Sequence, residues 1–211
     1  MAIKTWEKLL YPLVICITGL SWAIFITINS FFLFRMTINA QMTKLVGMTT
    51  AKIMKNYYQL IMYLEFPWVK DLKLSDFPFS IHGYEHMHEV KDLFLLNFGI
   101  LVAFTILCII MYSRVRKNNS WWILVMGLRN MLIIIPMIVF FLTLNFDYWF
   151  VMFHKLFFRN NYWIFDPVKD PIINVLPDSF FTICFISIFV LLEIYLIISF
   201  IIVKRKMNQE K

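Results

Sequence analysis

The chain has 211 residues, of which 61% are hydrophobic and only 16% charged, and its formal net charge is +7. A soluble domain carries about 25% charged residues, and a disordered chain carries few apolar ones, so both classes are excluded. The composition predicts a protein of the lipid bilayer.

Four long stretches of the sequence are almost free of charged residues. Each has at least the roughly 20 residues that a helix needs to cross the hydrocarbon core of a bilayer. Their apolar residues do not alternate with polar ones, which excludes the strands of a membrane barrel. We therefore predict an all-α membrane protein with four transmembrane helices, over residues 10–34, 93–113, 121–144 and 180–203.

Basic residues predict the orientation of these helices. Short flanks that are rich in Lys and Arg stay in the cytoplasm, and they occur here in segments 1–9, 114–120 and 204–211. Both termini are therefore predicted to be cytoplasmic, and segments 35–92 and 145–179 to form an extracytoplasmic cap. The basic residues in these flanks are Lys4, Lys8, Arg114, Arg116, Lys117, Lys204, Arg205, Lys206 and Lys211. They account for most of the positive charge, so no nucleic-acid partner is inferred.

The first outer segment is predicted to begin with one helix over Asn39–Glu65, because apolar residues recur there at helical spacing. The Phe66-Pro67 pair ends this helix, since a proline ring clashes with a continuing helix. A further helix is predicted from Tyr84 into the second span. The face of the first helix would consist of Leu45, Met48, Ile53, Tyr57, Leu60 and Leu64.

The second outer segment is unusually aromatic, with ten Phe, Tyr and Trp residues among positions 145–178. Such rings favour the boundary between lipid and water. The pattern fits a lid that lies at the membrane surface, and it equally fits an ordinary aromatic belt.

Cysteine and histidine are distributed in opposite ways. The three cysteines, Cys16, Cys108 and Cys184, all fall inside predicted spans, which excludes a thiol nucleophile or a disulfide-exchange site at the outer face. All four histidines (His82, His86, His88 and His154) fall in the outer segments. Because imidazole titrates near neutral pH, histidines placed there can accept and return protons. His154 stands among aromatic residues, where burial would perturb its pKa.

Two further features permit other interpretations. His82-Gly83-Tyr84-Glu85-His86 matches an inverted zinc-hydrolase pattern, so a metal-dependent membrane hydrolase is one alternative. A non-enzymatic accessory protein is the other. Within the spans, Arg129 and Glu193 lie at depths that would let them pair as a structural clamp.

Short motifs follow one another in the outer segments in a particular order. They read Asn56-Tyr57, Phe77-Pro78-x-Ser80, His86-Met87-His88-Glu89-Val90-Lys91, Phe153-His154-x-Leu156-Phe157-Phe158, Trp163-x-Phe165-Asp166-Pro167-x-x-Asp170 and Leu176-Pro177-x-x-Phe180. In this order between four spans, they make the chain resemble the bacterial lipoprotein intramolecular transacylase (Lit) family over nearly its whole length. Glu89 replaces the family's usual Asp, and His88 is an extra histidine. The spacing before Glu89 favours His86 as the first histidine of the pair.

The resemblance implies a plasma-membrane acyltransferase whose partners are membrane lipid and a lipoprotein with a diacylglyceryl group on its N-terminal cysteine. The central acyl chain would move to the cysteine α-amine and leave the N-acyl lyso form. Two histidines would act as base and acid in an undecided order, with no cofactor or metal. No protein nucleophile is required, and whether a histidine attacks first is left open. The oligomeric state is left open.

The resemblance also implies a set of site residues. His86 and His154 are the catalytic candidates. Glu89 or Asp166 would orient an imidazole, and Lys91, Asn56 or a tyrosine hydroxyl would stabilise an oxyanion. The complete substrate-binding and orienting set is Asn56, Tyr57, Tyr63, Glu89, Lys91, Phe153, Phe157, Trp163 and Asp166.

Overall fold

The computed structural model describes residues 7–209, and within that range it contains helices and no strand. Four of the helices (α1, α5, α6 and α8) are long and apolar enough to cross a membrane, which confirms the predicted all-α membrane fold. Lys4 and Lys211, two of the predicted cytoplasmic residues, lie outside the described residues. The α-helices are α1 (Glu7–Ile28), α2 (Phe31–Thr37), α3 (Ala40–Val46), α4 (Thr50–Glu65), α5 (Ile81–Lys117), α6 (Trp121–Thr143), α7 (Phe146–Phe157) and α8 (Asp178–Gln209), and a 3-10 turn covers Pro171–Val175.

The chain forms two compact units. The first comprises the described parts of Met1–Phe25, Phe98–Asn145 and Ser187–Lys211. Aliphatic and aromatic side chains of its helices pack into one core, as expected for a helical membrane bundle. Buried members of this core include Tyr11, Val14, Val115, Trp121, Leu124, Leu128, Leu192 and Leu196.

The predicted clamp between Arg129 and Glu193 is wrong. Arg129 is exposed on α6, and in the described part of the chain it has no carboxylate within 4.0 Å. Glu193 instead has a buried Oε2 atom without a hydrogen-bond partner. Depth along two helices was a poor guide to pairing, because a pair also requires both side chains to point at each other.

The second unit comprises Ile26–Asn97 and Phe146–Ile186. Its core is richer in aromatic rings. Phe34 stacks on Tyr57 with ring centroids 3.8 Å apart, and Phe180 meets Phe34 edge to face at 5.3 Å. The four histidines all belong to this unit.

The first predicted span is interrupted near its end. A helix was expected over residues 10–34, but α1 ends at Ile28 and the short helix α2 begins at Phe31. The Asn29 amide donates a hydrogen bond to Glu65 Oε1 at 2.6 Å. Asn and Ser side chains compete for backbone partners, so Asn29-Ser30 favours such a break.

The helix predicted over Asn39–Glu65 is also two helices. Gly47 ends α3 in the left-handed conformation, with φ 63°, and Thr49 caps the start of α4. Glycine adopts that conformation without a steric penalty, which is why the break falls there. The end of the helix at Glu65, before Phe66-Pro67, is as predicted.

Candidate active site

The structure brings two of the four histidines together. His86 lies in the second turn of α5 and His154 near the end of α7, and their ring centroids are 6.0 Å apart. His86 is only 6% exposed, and His154 is half-buried. These are the two catalytic candidates, and the fold places them 68 positions apart in sequence on facing elements of the same unit.

Hydrogen bonding fixes the tautomer of His154. Its Nδ1 lies 2.7 Å from the carbonyl oxygen of Phe150, one turn earlier in α7. A carbonyl oxygen only accepts, so Nδ1 carries the hydrogen and donates it. The neutral ring therefore keeps its lone pair on Nε2. Burial lowers the pKa of His154 below its ordinary value, and the bond to Phe150 offsets part of that effect.

An aromatic cage surrounds the histidine pair. Phe158 contacts both imidazoles, with its ring centroid 4.7 Å from that of His86 and 5.6 Å from that of His154. Trp163 packs on His154 at 4.8 Å. In the described residues the rings that contact an imidazole of the pair are Phe150, Phe153, Phe158, Trp163 and Phe165. This surrounding removes water from the pair and strengthens any charge interaction inside it.

Phe153 and Phe157, two of the predicted substrate-binding residues, are both on α7. Only Phe153 contacts His154. Phe157 packs on Phe153 with ring centroids 4.7 Å apart. Both rings are about half exposed, at 49% and 48%. They form an apolar edge of the site rather than its interior.

A carboxylate is anchored beside His86. Glu89 Oε1 accepts a hydrogen bond of 2.7 Å from the Asn160 amide, which holds the carboxylate from the loop after α7. The other oxygen, Oε2, lies 3.9 Å from His86 Nδ1. A carboxylate in this position favours a hydrogen on Nδ1, as in a catalytic triad. Burial, followed by the nearby His154, nevertheless lowers the pKa of His86 to about 4, so this ring is neutral at neutral pH and readily gives up a proton that it receives.

His88 and His82 do not reach the pair. The His88 side chain is 56% exposed, and its Nδ1 lies 3.7 Å from Asp92 one turn along α5. The His82 ring is exposed and stacks on Tyr162 at 4.1 Å. Within residues 7–209, no three His, Cys, Asp or Glu side chains are grouped so that they could hold a metal ion. The inverted zinc-hydrolase pattern therefore has no structural counterpart in that range.

Asp170 positions the start of α5. Its buried carboxylate accepts hydrogen bonds from Ser80 N at 2.7 Å and from Ser80 Oγ at 2.8 Å. Ser80 Oγ in turn accepts one from the Gly83 amide at 3.0 Å. A Cβ at Gly83 would lie 2.2 Å from Asp170 Oδ1, so glycine is required for this close approach. Gly83, which lies inside the inverted zinc-hydrolase pattern, is therefore required for packing against Asp170.

Gly83→Ala is expected to destabilise the protein, although alanine favours helices more than glycine by about 1 kcal/mol. The new methyl group would displace Asp170, and overpacking of this kind costs about 1 to 3 kcal/mol. Thermal unfolding in detergent would measure the net effect. Gly99→Ala is the matched control on the same helix, since a Cβ there meets nothing within 4 Å. Equal melting temperatures for the two variants would contradict this account.

Asn56 and Tyr57 make their hydrogen bonds within the fold of the second unit. The Asn56 amide donates to Asp76 Oδ2 at 2.8 Å and to Lys52 O at 2.9 Å, and its Oδ1 accepts from Asp76 N at 3.0 Å. Each hydrogen-bonding atom of the Asn56 side chain is therefore engaged. Tyr57 is buried in the core of the unit, and its hydroxyl donates a long bond of 3.5 Å to Ile28 O.

Lys91 and Tyr63 form a second structural contact. Lys91 Nζ donates to the Val69 carbonyl oxygen and lies 4.4 Å from the centre of the Tyr63 ring. Burial, followed by the neighbouring Tyr84, raises the pKa of Tyr63 to about 12. These contacts tie the loop after α4 to α5. Lys91 follows His86 by five residues, which places it about 140° around the helix.

Asp166 lies in an exposed turn. Its Oδ1 accepts from the Val168 amide at 2.9 Å, and its Oδ2 lies 3.9 Å from Lys169 Nζ. Of the two acids predicted to orient an imidazole, the structure thus places Glu89, and not Asp166, within 4.0 Å of one.

Sequence reasoning missed four members of the site. Phe150 and Phe158 stand four residues before and after His154, and a helix predicted over α7 would have placed them next to it. Phe165 was quoted in a motif without a role. Asn160 reaches Glu89 through a loop, and no local pattern signals such a contact.

Three of the six enclosed side-chain polar atoms that lack a hydrogen-bond partner in the described residues belong to the histidine site. His86 Nδ1, Glu89 Oε2 and Trp163 Nε1 are enclosed and have no hydrogen-bond partner. Each such atom costs about 1 to 3 kcal/mol. A folded protein keeps them together where a substrate or water can supply the missing partners.

Comparisons with known proteins point in one direction. A family profile described as "Lipoprotein intramolecular transacylase Lit" matches residues 9–181. A comparison with curated protein sequences gave no match.

Three crystal chains are similar to this one, and each is a lipoprotein intramolecular transacylase Lit from Bacillus cereus. One superposes with a TM-score of 0.87 and 26% identity, covering 98% of this chain and 99% of that chain. In the two others a histidine is replaced by arginine or alanine, and both have TM-scores of 0.85 at 26% identity. They cover 97% of this chain and 92% or 94% of their own.

Proposed function

This chain belongs to the lipoprotein intramolecular transacylase (Lit) family, and we propose that it transfers an acyl chain within one lipoprotein molecule. The chain starts on the central glycerol oxygen of the diacylglyceryl-cysteine and ends on the α-amine of that cysteine. Lit is a family of membrane-integral acyltransferases, which agrees with the four apolar helices of this chain. The accessory-protein interpretation is therefore not supported.

The observation that carries the proposal is the histidine pair, in which His86 is buried and His154 is half-buried. The amine must lose a proton to attack, since its pKa is about 8, and the glycerol oxygen must gain one to leave. Two imidazoles with centroids 6.0 Å apart suit this transfer. In an aromatic enclosure, burial disfavours charging both rings at once, so the pair carries one proton at a time.

His154 is assigned as the base. Its Nε2 holds the free lone pair, because Nδ1 is committed to the Phe150 carbonyl. It takes the amine proton while nitrogen bonds to the ester carbonyl carbon. That proton then passes to His86, which delivers it to the glycerol oxygen as the carbon–oxygen bond breaks, so both rings are neutral again at the end. Glu89 stabilises the charged form of His86 from 3.9 Å. Both reacting groups belong to one substrate, so holding them together replaces a protein nucleophile.

The site is placed on the extracytoplasmic side of the plasma membrane. The basic flanks of residues 114–120 and 204–211 support this orientation, with both termini in the cytoplasm. The half-exposed rings of Phe153 and Phe157 suit contact with lipid at that surface.

Expression in a bacterium that lacks lipoprotein N-acylation tests the function. The reaction leaves the intact lipoprotein mass unchanged, so fragmentation mass spectrometry of the N-terminus must locate the acyl chain. We expect an N-acylated cysteine that no longer reacts with amine reagents and a free glycerol hydroxyl. An unchanged diacylglyceryl N-terminus with a free amine would contradict the proposal.

The pH dependence of the reaction follows from the lowered pKa of His154. The rate should rise by one power of ten per pH unit below about 8, where the substrate amine is protonated. Protonation of His154 lowers the rate further, but only at a pH where that ring is also charged. The slope should therefore steepen to two at a pH below about 6.5, the ordinary value for histidine. Initial rates in detergent across this range would measure it, and a break above that value would contradict the neutral, buried base.

A further inference from the structure

The indole of Trp163 carries a donor without an acceptor. Its Nε1 is enclosed and makes no hydrogen bond within the described residues. Its ring packs on the proposed base, His154, with centroids 4.8 Å apart and planes inclined at 32°. A buried tryptophan usually finds a partner for this N–H group. An unpaired indole donor next to the histidine pair therefore needs an explanation.

The other unpaired atoms of the site differ from the indole N–H in what they can do chemically. His86 Nδ1 and Glu89 Oε2 are also enclosed without hydrogen-bond partners. They can exchange or stabilise protons, whereas the indole N–H only donates. The proposed reaction needs one such fixed donor, because the ester carbonyl oxygen becomes negative when nitrogen adds to its carbon.

The other donors considered for this oxygen are hydrogen-bonded elsewhere or lie away from the pair. The enclosed Tyr63 hydroxyl has no hydrogen-bond partner, but its ring packs against Lys91, and among the described residues it makes no ring contact with either imidazole. The Asn56 amide donates to Asp76 and Lys52, and the Lys91 ammonium donates to Val69 O. The Ser80 hydroxyl donates to Asp170 at 2.8 Å. Using the Asn56 or Ser80 donors would break a contact within the second unit, and Lys91 lies about 140° around α5 from His86, whereas the Trp163 donor costs no existing bond.

We infer that Trp163 Nε1–H is the oxyanion donor of the reaction, an inference that rests on the proposed transacylation. As the amine nitrogen bonds to the carbonyl carbon, the carbonyl π electrons move to oxygen and the indole N–H binds that oxygen. The intermediate collapses when those electrons re-form the double bond. The glycerol carbon–oxygen bond then breaks, and its electron pair takes the proton from His86. Trp163 neither gains nor loses a proton.

Trp163→Phe tests the role, because it keeps an aromatic ring against His154 and removes only the donor side of the indole. We expect kcat to fall about 100-fold, the typical effect of losing one oxyanion donor, with little change in KM. The steepening of the pH profile should stay at the same pH, since His154 keeps its surroundings. Trp68→Phe is the matched control, because that residue is 71% exposed and packs on Phe66 outside the site.

A second replacement guards against loss of folding. Benzothienylalanine at position 163, introduced by codon suppression, exchanges N–H for sulfur in a ring of nearly the same shape. It should show the same 100-fold fall, with a melting temperature equal to that of the unmodified protein. Unchanged kcat in this variant would overturn the inference, as would a shifted pH break, which indicates that Trp163 only supports His154. Absence of N-acylation by the unmodified protein would overturn the proposed function itself.

Discussion

Replacing His154 with glutamine is expected to lower the rate of lipoprotein N-acylation by about 1000-fold, within the range attributed to general acid–base catalysis. Glutamine is similar in length and can still donate to the Phe150 carbonyl, but it has no lone pair that accepts a proton near neutral pH. The loss should fall on kcat, because the change removes a proton acceptor rather than a binding surface.

The measurement is the initial rate of N-acyl formation on a diacylglyceryl lipoprotein, followed by fragmentation mass spectrometry. Lys155→Gln is the neighbouring control, since that side chain is exposed on α7. Both variants should unfold at the temperature of the unmodified protein. A His154→Gln variant that retains full activity would exclude histidine catalysis at this position.

The second large effect separates two histidines that stand two residues apart in sequence. His86→Gln is expected to reduce the rate by about 100-fold or more, whereas His88→Gln should leave it close to that of the unmodified protein. His86 is 6% exposed and contacts His154, while His88 points to solvent beside Asp92. The same substitution on two faces of α5 therefore tests whether the position of the histidine determines the rate.

The assay for this comparison is the same N-terminal fragmentation, run in parallel with a melting curve for each variant. His86 is buried, so its replacement can also lower stability, and the rate must be taken well below the melting temperature. Loss of activity in His88→Gln with full activity in His86→Gln would reverse the assignment.

Glu89 is held beside His86 by a residue from a distant part of the chain, Asn160. Because Asn160 holds one carboxylate oxygen of Glu89, the other oxygen remains directed at His86. The Asn160 amide therefore fixes the position of the Glu89 side chain beside His86.

The sequence was a good guide to where the helices are apolar. Length and hydropathy are local properties, so the four spans could be predicted from composition alone. The motif order was sufficient to predict the family, and the comparisons confirm it. The breaks at Asn29 and Gly47 were missed, because the first involves a contact with the distant Glu65 and the second a left-handed glycine, and neither interrupts the apolar pattern.

The candidate site was only partly predictable. His86 and His154 could be selected by spacing and aromatic surroundings, and the structure brings their ring centroids to 6.0 Å. Asn56 and Lys91 were selected by chemical type, but each is committed to a structural contact. A donor in the sequence becomes available for catalysis only if folding leaves it unpaired, and pairing between distant residues carries no local signal.

The sequence by itself determined that this protein resides in a bilayer, since 61% apolar residues arranged in long runs have no other stable environment. The tertiary structure decided which polar groups face one another. It turned His86 rather than His88 toward His154, anchored Glu89 through Asn160, and left the Trp163 donor unpaired. The physical reason is that burial of apolar length is additive along the chain, whereas hydrogen-bond pairing depends on the directions of side chains brought together from distant positions.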